Sequence, residues 1–173
     1  LWTYDYFTCS SIEYCCREMM EAEDIKLYKS LGMIGWYNEG SIPGAKFLER
    51  GLPDAKERFP SDWQWVYATG HLLWNADQDV MTLIDDAESK YYGKAYSAMK
   101  PYHKLRRDLW ANRNECVGYP YGNPMRPLLL NAAGAKEKLL GYLDAADKLA
   151  EDDKVLKYRL SRDRHWLTEY WIK

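Results

Sequence analysis

Two short aromatic stretches of the chain run out into groups that can do chemistry. Trp2-Thr3-Tyr4-Asp5-Tyr6 ends in a carboxylate and a phenol, and Gly35-Trp36-Tyr37-Asn38-Glu39 ends in an amide and a carboxylate. If each stretch is a strand, these groups sit at its C-terminal end. In a barrel of parallel strands, that end and the loops after it form the active site. Carboxylates placed there hydrogen-bond sugar hydroxyls or serve as acid, base or nucleophile. Tyr6, Trp36 and Tyr37 add flat apolar faces with polar tips, which suit stacking on a sugar ring or closing a pocket floor. The candidate substrate-binding residues are therefore Asp5, Tyr6, Trp36, Asn38 and Glu39. The alternative is that Asp5 and Glu39 serve as turn or N-cap carboxylates.

Other constellations are weaker. Asp85-Asp86 with Glu88 reads as a solvated acidic helix face. Arg159, Arg162 and Arg164 beside His165 can hold an anion, but a solvated face paired with Asp152, Asp153 and Asp163 is the simpler reading. Cys9, Cys15, Cys16 and Cys116 match no zinc spacing, so no metal site is implied. Cys9 with Cys15 or Cys16 is the nearest candidate disulfide, and free, partly buried thiols are the alternative. The chain has no glycine-rich phosphate loop and no Gly-x-Ser-x-Gly turn, and no cofactor is implied. The three histidines, His71, His103 and His165, are scattered.

The elements that would position the candidate groups follow from pattern. Leu1 to Phe7 reads as a strand, with Ser10 or Ser11 capping a helix that begins near Ile12. Glu21 to Leu31 continues helically, with Ile25, Tyr28 and Leu31 on one side, and Gly32 ends it. Met33 to Tyr37 is a second strand, followed by a loop at Asn38-Glu39-Gly40-Ser41 and Pro43-Gly44. Strand, helix and strand make a βα unit whose two parallel strands need a larger sheet, so sheet partners are expected upstream. Ala45 to Arg50 reads as a short helix broken by Gly51, Pro53 and Pro60. Ser61 or Asp62 opens a helix with Trp63, Val66, Tyr67, Gly70 and Trp74 on one face. Gly70 costs about 1 kcal/mol there relative to alanine, which close approach of a neighbouring helix would explain.

Asp77 or Asp79 is the expected cap of the next helix, whose apolar face is Val80, Leu83, Ile84, Ala87 and Tyr91. Gly93 stops it in a left-handed conformation. Lys94 to Asn112 is helical, with Ala95, Met99, Tyr102, Leu105 and Leu109 in register. Pro101 is expected to kink this helix or to restart it in its own first turn. Residues 115–127, rich in glycine and proline, are a loop. Helices near Leu128 to Ala150 and Asp153 to Ile172 follow. Their core faces are Leu139, Leu143, Ala146 and Ala150, then Leu156, Leu160, Leu167 and Trp171.

The totals set limits on function. A length of 173 residues is ample for one buried core. The formal net charge is −2, with Lys and Arg spread along the chain, so no nucleic-acid footprint is visible. No apolar run is long enough to span a membrane. Beginning at Leu1 inside a strand, the chain reads as a fragment of something longer. Eight Trp and 15 Tyr against 3 Phe form the compositional outlier, serving sugar clefts and half-buried helix interfaces alike.

Word order adds a resemblance. Leu72-Leu73-Trp74-Asn75-x-Asp77-x-Asp79-Val80, an apolar-acidic helix, and Tyr91-Tyr92-Gly93-x-Ala95 resemble the C-terminal part of the bacterial family called domain of unknown function 4838. Some members of that family are classed as glycoside hydrolase family 163. The resemblance extends upstream through Trp2 to Tyr6, Ile25 to Gly32 and Gly35 to Gly40, and weakens after Cys116. It implies a mainly α chain: the last βα segments of a (β/α)8 barrel over residues 1–58, then a helical domain over 59–173. It implies a parent that is an endo-acting N-acetylglucosaminidase on N-linked glycans, assisted by the substrate's acetamido group, outside the cytoplasm. Partners would be the carbohydrate substrate and the remainder of the barrel. The acid/base carboxylate would come from an earlier strand, so no catalytic residue is assigned in this chain. The rival expectation is a non-catalytic helical module that binds a partner or buttresses a neighbouring domain.

Overall fold

The computed structural model describes residues 1–5, 16–38, 63–112, 129 and 131–172. Those residues are mainly helical, with one pair of short strands. Two compact units divide the chain, Leu1–Leu83 and Ile84–Lys173. The expected helix start near Ile12, the segment from Ala45 to Pro60, and the loop over 115–127 lie outside the described residues.

The first unit opens with β1 (Trp2–Asp5), α1 (Glu18–Ser30) and β2 (Gly35–Asn38). The strands pair in parallel, with Trp2 opposite Gly35 and Asp5 opposite Asn38. Helix α1 stops because Gly32 takes a left-handed φ of 74°, a conformation glycine adopts without steric cost. Its N–H then reaches the Lys29 carbonyl and that of Met33 reaches the Tyr28 carbonyl, both at 3.0 Å. This double bond closes the last turn as a Schellman motif. Strand β2 therefore begins after a four-residue link, Leu31 to Ile34, and returns alongside β1.

Side chains alternate across the strand pair. Trp2, Tyr4 and Tyr37 form the more exposed side, and Trp36 turns toward α2 (Trp63–Trp74). Gly35 is required on the exposed side. A Cβ there would lie 2.2 Å from Cε3 of Trp2, whose indole lies across β2.

Helix α2 packs on α1 and buries Gln64, Trp65, Ala68, Thr69 and Leu72. The face anticipated from Trp63, Val66, Tyr67, Gly70 and Trp74 is thus rotated away from the core, and Trp74 is 92% exposed. Among the described residues, nothing comes within 4 Å of a Cβ built on Gly70, so approach of a described helix does not account for that glycine. Beyond α2, Asp79 is the cap of α3 (Val80–Tyr92), accepting from the Thr82 N–H at 2.7 Å. That bond holds the Asp79 carboxyl below the usual carboxylate range. Asp77 is instead taken by Lys29 at 2.7 Å.

In the second unit α3 continues, and a 3-10 turn (Gly93–Ala95) leads into α4 (Tyr96–Ala111). Gly93 has the expected positive φ, 50°. Pro101 lies inside α4, past its first turn, so it does not restart the helix. Helix α5 (Ala135–Ala150) packs on α4 and on α6 (Lys154–His165), and a π-helical turn (Trp166–Trp171) follows. Asp153 caps α6 by accepting from the Leu156 N–H. Leu139, Leu143, Ala146 and Ala150 are fully buried, as are Leu160 and Leu167. Among the described residues, no helix is long and apolar enough to cross a membrane.

An exposed mid-helix glycine with open space around it carries an entropic cost and no packing gain. Gly70→Ala is therefore expected to stabilise the protein by about 0.5–1 kcal/mol, read as a higher urea midpoint at unchanged slope. A lower midpoint would mean that something occupies the space beside Gly70.

Candidate functional site

The parallel register brings the C-terminal ends of β1 and β2 side by side, with Asp5 and Asn38 as Cα partners. Nothing is described of their side chains, and Tyr6 and Glu39 lie outside the described residues. Two candidates are thus neighbours along the backbone, and two are not placed.

The aromatic candidates separate by face. Tyr37 is exposed and stacks on Tyr4 from the facing strand, with ring centroids 5.2 Å apart and planes 14° from parallel. Trp36 is half-buried and lies 6.4 Å from Trp65 of α2, tilted by 53°. The indole N–H groups of Trp36 and Trp65 and the Thr69 hydroxyl are buried and make no hydrogen bond among the described residues. Such groups are uncommon and mark a place where a polar partner would be held favourably. Chemically, this corner of the first unit offers indole donors on one side of the strand pair and a ring pair on the other.

A second constellation, in the second unit, was not anticipated. Glu88 of α3 and His103 and Arg106 of α4 are fully buried. Glu88 was read from sequence as part of a solvated acidic face with Asp85 and Asp86. Asp85 and Asp86 do pair with lysines near the surface, Lys100 at 2.6 Å and Lys90 at 2.7 Å. Glu88 instead points inward and accepts from Arg107 Nη1 at 2.9 Å. The arginine-rich stretch of α6 also departs from expectation. Arg164 pairs with Asp144 and Asp147 of α5 rather than with Asp152 or Asp153. Arg159 donates to the Tyr91 carbonyl, its guanidinium 4.5 Å from the Tyr91 ring centroid.

Asp163 enters the interior network. The Tyr92 hydroxyl lies 2.9 Å from Asp163 Oδ2 and 2.9 Å from His103 Nε2. Nη1 of Arg106 lies 3.3 Å from His103 Nδ1. A guanidinium only donates, so Nδ1 accepts and the imidazole hydrogen sits on Nε2. His103 then donates to the Tyr92 oxygen, and Tyr92 donates to the carboxylate. Every bond points one way, from cation to anion.

The local electrostatics agree with that direction. Burial, then the charges of Arg106 and Arg107, hold the His103 imidazole well below its ordinary value. Burial, together with the charge of Asp163, raises the Tyr92 phenol well above its own. Burial pushes the Asp163 carboxyl up to about 6, against the pull of Arg106 and the Tyr92 bond. Arg106 and Arg107 balance Glu88 and Asp163 in formal charge. With Glu88, His103 and Arg106 fully enclosed, these groups act on one another rather than on a substrate. One sequence signal could have found them. Glu88 follows Ile84 at i+4, and His103 and Arg106 follow Met99 at i+4 and i+7, so charged residues stand at core-face spacing.

Among the described residues, no group of three or more metal-binding side chains comes together. Cys16 is buried, while Cys9, Cys15 and Cys116 lie outside the described residues. No protein-family profile, no curated protein and no solved structure matches this chain.

Removing one member of a buried ion pair strands the other charge. Glu88→Ala is expected to cost about 3–5 kcal/mol in urea unfolding because Arg107, nearly enclosed, loses its carboxylate. Asp86→Ala, at a surface pair, is expected to cost no more than about 1 kcal/mol. Equal costs for the two variants would remove Glu88 from the interior.

Proposed function

We propose that the chain is the C-terminal part of a carbohydrate-active, glycoside-hydrolase-like protein acting outside the cytoplasm, its first unit contributing the last βα segments of a barrel. The observation that carries the reading is the parallel β1–α1–β2 unit, with Asp5 and Asn38 together at its C-terminal end. Parallel pairs ordinarily belong to larger sheets covered on both faces, and Trp2, Tyr4 and Tyr37 remain largely exposed here. In the barrel reading that aromatic side faces the lumen, with the Tyr4–Tyr37 pair one residue below the mouth. Trp36 and Trp65 supply donors nearby.

In this reading Tyr37 rather than Trp36 offers the sugar a ring face, and Tyr6 and Glu39 position it. Asp5 and Asn38, which alternate with Tyr4 and Tyr37 along the strands, act from the strand ends rather than from that side. The general acid belongs to another strand of the parent. An endo-acting cleavage at N-acetylglucosamine is the reaction supported by the resemblance of Leu72 to Ala95. A second reading, a non-catalytic interaction module, is favoured by one specific observation. Val66, Leu73 and Trp74 leave an apolar surface exposed on α2.

The two readings part in a titration of this chain with N-acetylglucosamine oligosaccharides, followed by tryptophan fluorescence and by NMR shifts of the Tyr4, Trp36 and Tyr37 rings. The carbohydrate reading expects saturable shifts at those rings that are at least tenfold weaker in affinity for Tyr37→Ala. Unchanged spectra at millimolar sugar would contradict it.

A further inference from the structure

The Nδ1 of His103 faces one donor and one acceptor. Nδ1 lies 3.3 Å from Arg106 Nη1 and 4.0 Å from Glu88 Oε1. With Asp163 ionised, only the direction derived above satisfies the chain. A neutral Asp163 changes the terms, because a carboxylic acid can donate. Its O–H then points at the Tyr92 oxygen, Tyr92 donates to Nε2, and the imidazole hydrogen must move to Nδ1. There it opposes the Arg106 donor and finds the Glu88 carboxylate.

We propose that Arg106, His103, Tyr92 and Asp163 form a proton-gated switch whose hydrogen-bond polarity reverses on uptake of one proton. The balance is simple. One proton is bound at Nδ1, the Nε2 hydrogen passes to the Tyr92 oxygen, and the Tyr92 hydrogen passes to Asp163. The imidazole stays neutral throughout and only its tautomer changes. The net result is a neutral Asp163 and a His103 whose Nδ1–H no longer accepts from Arg106 and draws in the Glu88 carboxylate, 4.0 Å away in the unprotonated state. A protonation at half-buried Asp163 on α6 is thereby registered by the enclosed Glu88–Arg107 pair between α3 and α4.

The surroundings support a switch near neutrality. The groups facing the chain are Glu88 and Tyr91 on α3, Tyr102, Arg106 and Arg107 on α4, and Arg162 on α6, with Arg159 against the Tyr91 ring. On α5, Asp144 and Asp147 are committed to Arg164. Burial raises the Asp163 carboxyl to about 6, so it gains its proton there rather than in the usual acidic range. Burial and the two arginines keep His103 well below its ordinary value, so the proton does not rest as imidazolium. The signs are opposite for stability. Asp163 adds stability as pH falls through about 6, and His103 removes it as pH falls below its unfolded value near 6.5.

The test is the tautomer itself. Imidazole nitrogen shifts of the 15N-labelled full chain are recorded from pH 7.5 to 5, with the His103 signals identified by their loss in His103→Gln. The switch expects a protonated Nε2 and a bare Nδ1 at pH 7.5, exchanging places by pH 5. Asp163→Asn, neutral at every pH, is expected to show one pattern throughout. An imidazolium pattern at pH 5, or an unchanged Nε2–H pattern in the wild-type protein, would overturn the proposal. Should Asp163→Asn fail to fold, the wild-type series alone decides it.

Discussion

A charge cannot be taken out of water without a partner, and the second unit meets that constraint by clustering four charges, of which Glu88 and Arg106 are fully enclosed. Glu88, Arg106, Arg107 and Asp163 come from three helices. Arg106 and Asp163 are joined through His103 and Tyr92, and the Glu88–Arg107 pair lies beside that chain, 4.0 Å from His103. Displacing any of α3, α4 or α6 along its axis would leave buried donors or acceptors stranded, each costing about 1–3 kcal/mol. Apolar packing alone is more forgiving. Leu139, Leu143 and Ala146 bring α5 to the bundle, but leucines tolerate sliding in a way that a directed hydrogen-bond chain does not. The network therefore sets the register of α3, α4 and α6, and burial of the leucines supplies the driving force.

The first unit is built on a different device. Its strand pair is placed by a glycine turn at the end of α1 and by a second glycine, Gly35, beneath the Trp2 indole. Both are backbone requirements, and Gly35 lies on the aromatic side. That side is where Tyr4 and Tyr37 stack, one residue before the paired strand ends. The carbohydrate reading draws its structural support from this juxtaposition, and its chemistry from residues at the mouth.

Much of the helical layout was legible in the sequence. The faces of α5 and, at Leu156 and Leu160, of α6 follow the apolar spacing because burial is what selects them. On α3 Val80, Ile84 and Ala87 do so, while Tyr92 rather than the expected Tyr91 is the fully buried tyrosine. Gly32 stops α1, and the pair of candidate caps before α3 resolves to Asp79. The failures are equally physical. On α2 the large aromatics suggested the core face, yet Gln64 and Thr69 are buried and Trp74 faces solvent. Hydrophobicity ranks residue types, but tertiary contacts choose the face, and on α2 the buried side carries the smaller residues Ala68 and Thr69. Glu88 was misread because a lone charge beside Asp85 and Asp86 looks solvated until its cation, nineteen residues later, is known. At the candidate site, strand identity and pairing direction were legible from aromatic runs and a glycine stop. The division of Trp36 and Tyr37 onto opposite sides follows from strand alternation, and only the structure shows which side α2 covers.

The claim most exposed to test is that one hydrogen-bonded chain couples helices that are remote in sequence. Native-state hydrogen exchange on the wild-type protein and on Tyr92→Phe measures it directly. The account predicts that losing one hydroxyl lowers amide protection in α3 and, more than 60 residues away, in α6 around Asp163 as well. Protection lost only in the turn of α3 that carries Tyr92, with α6 unchanged, would contradict it.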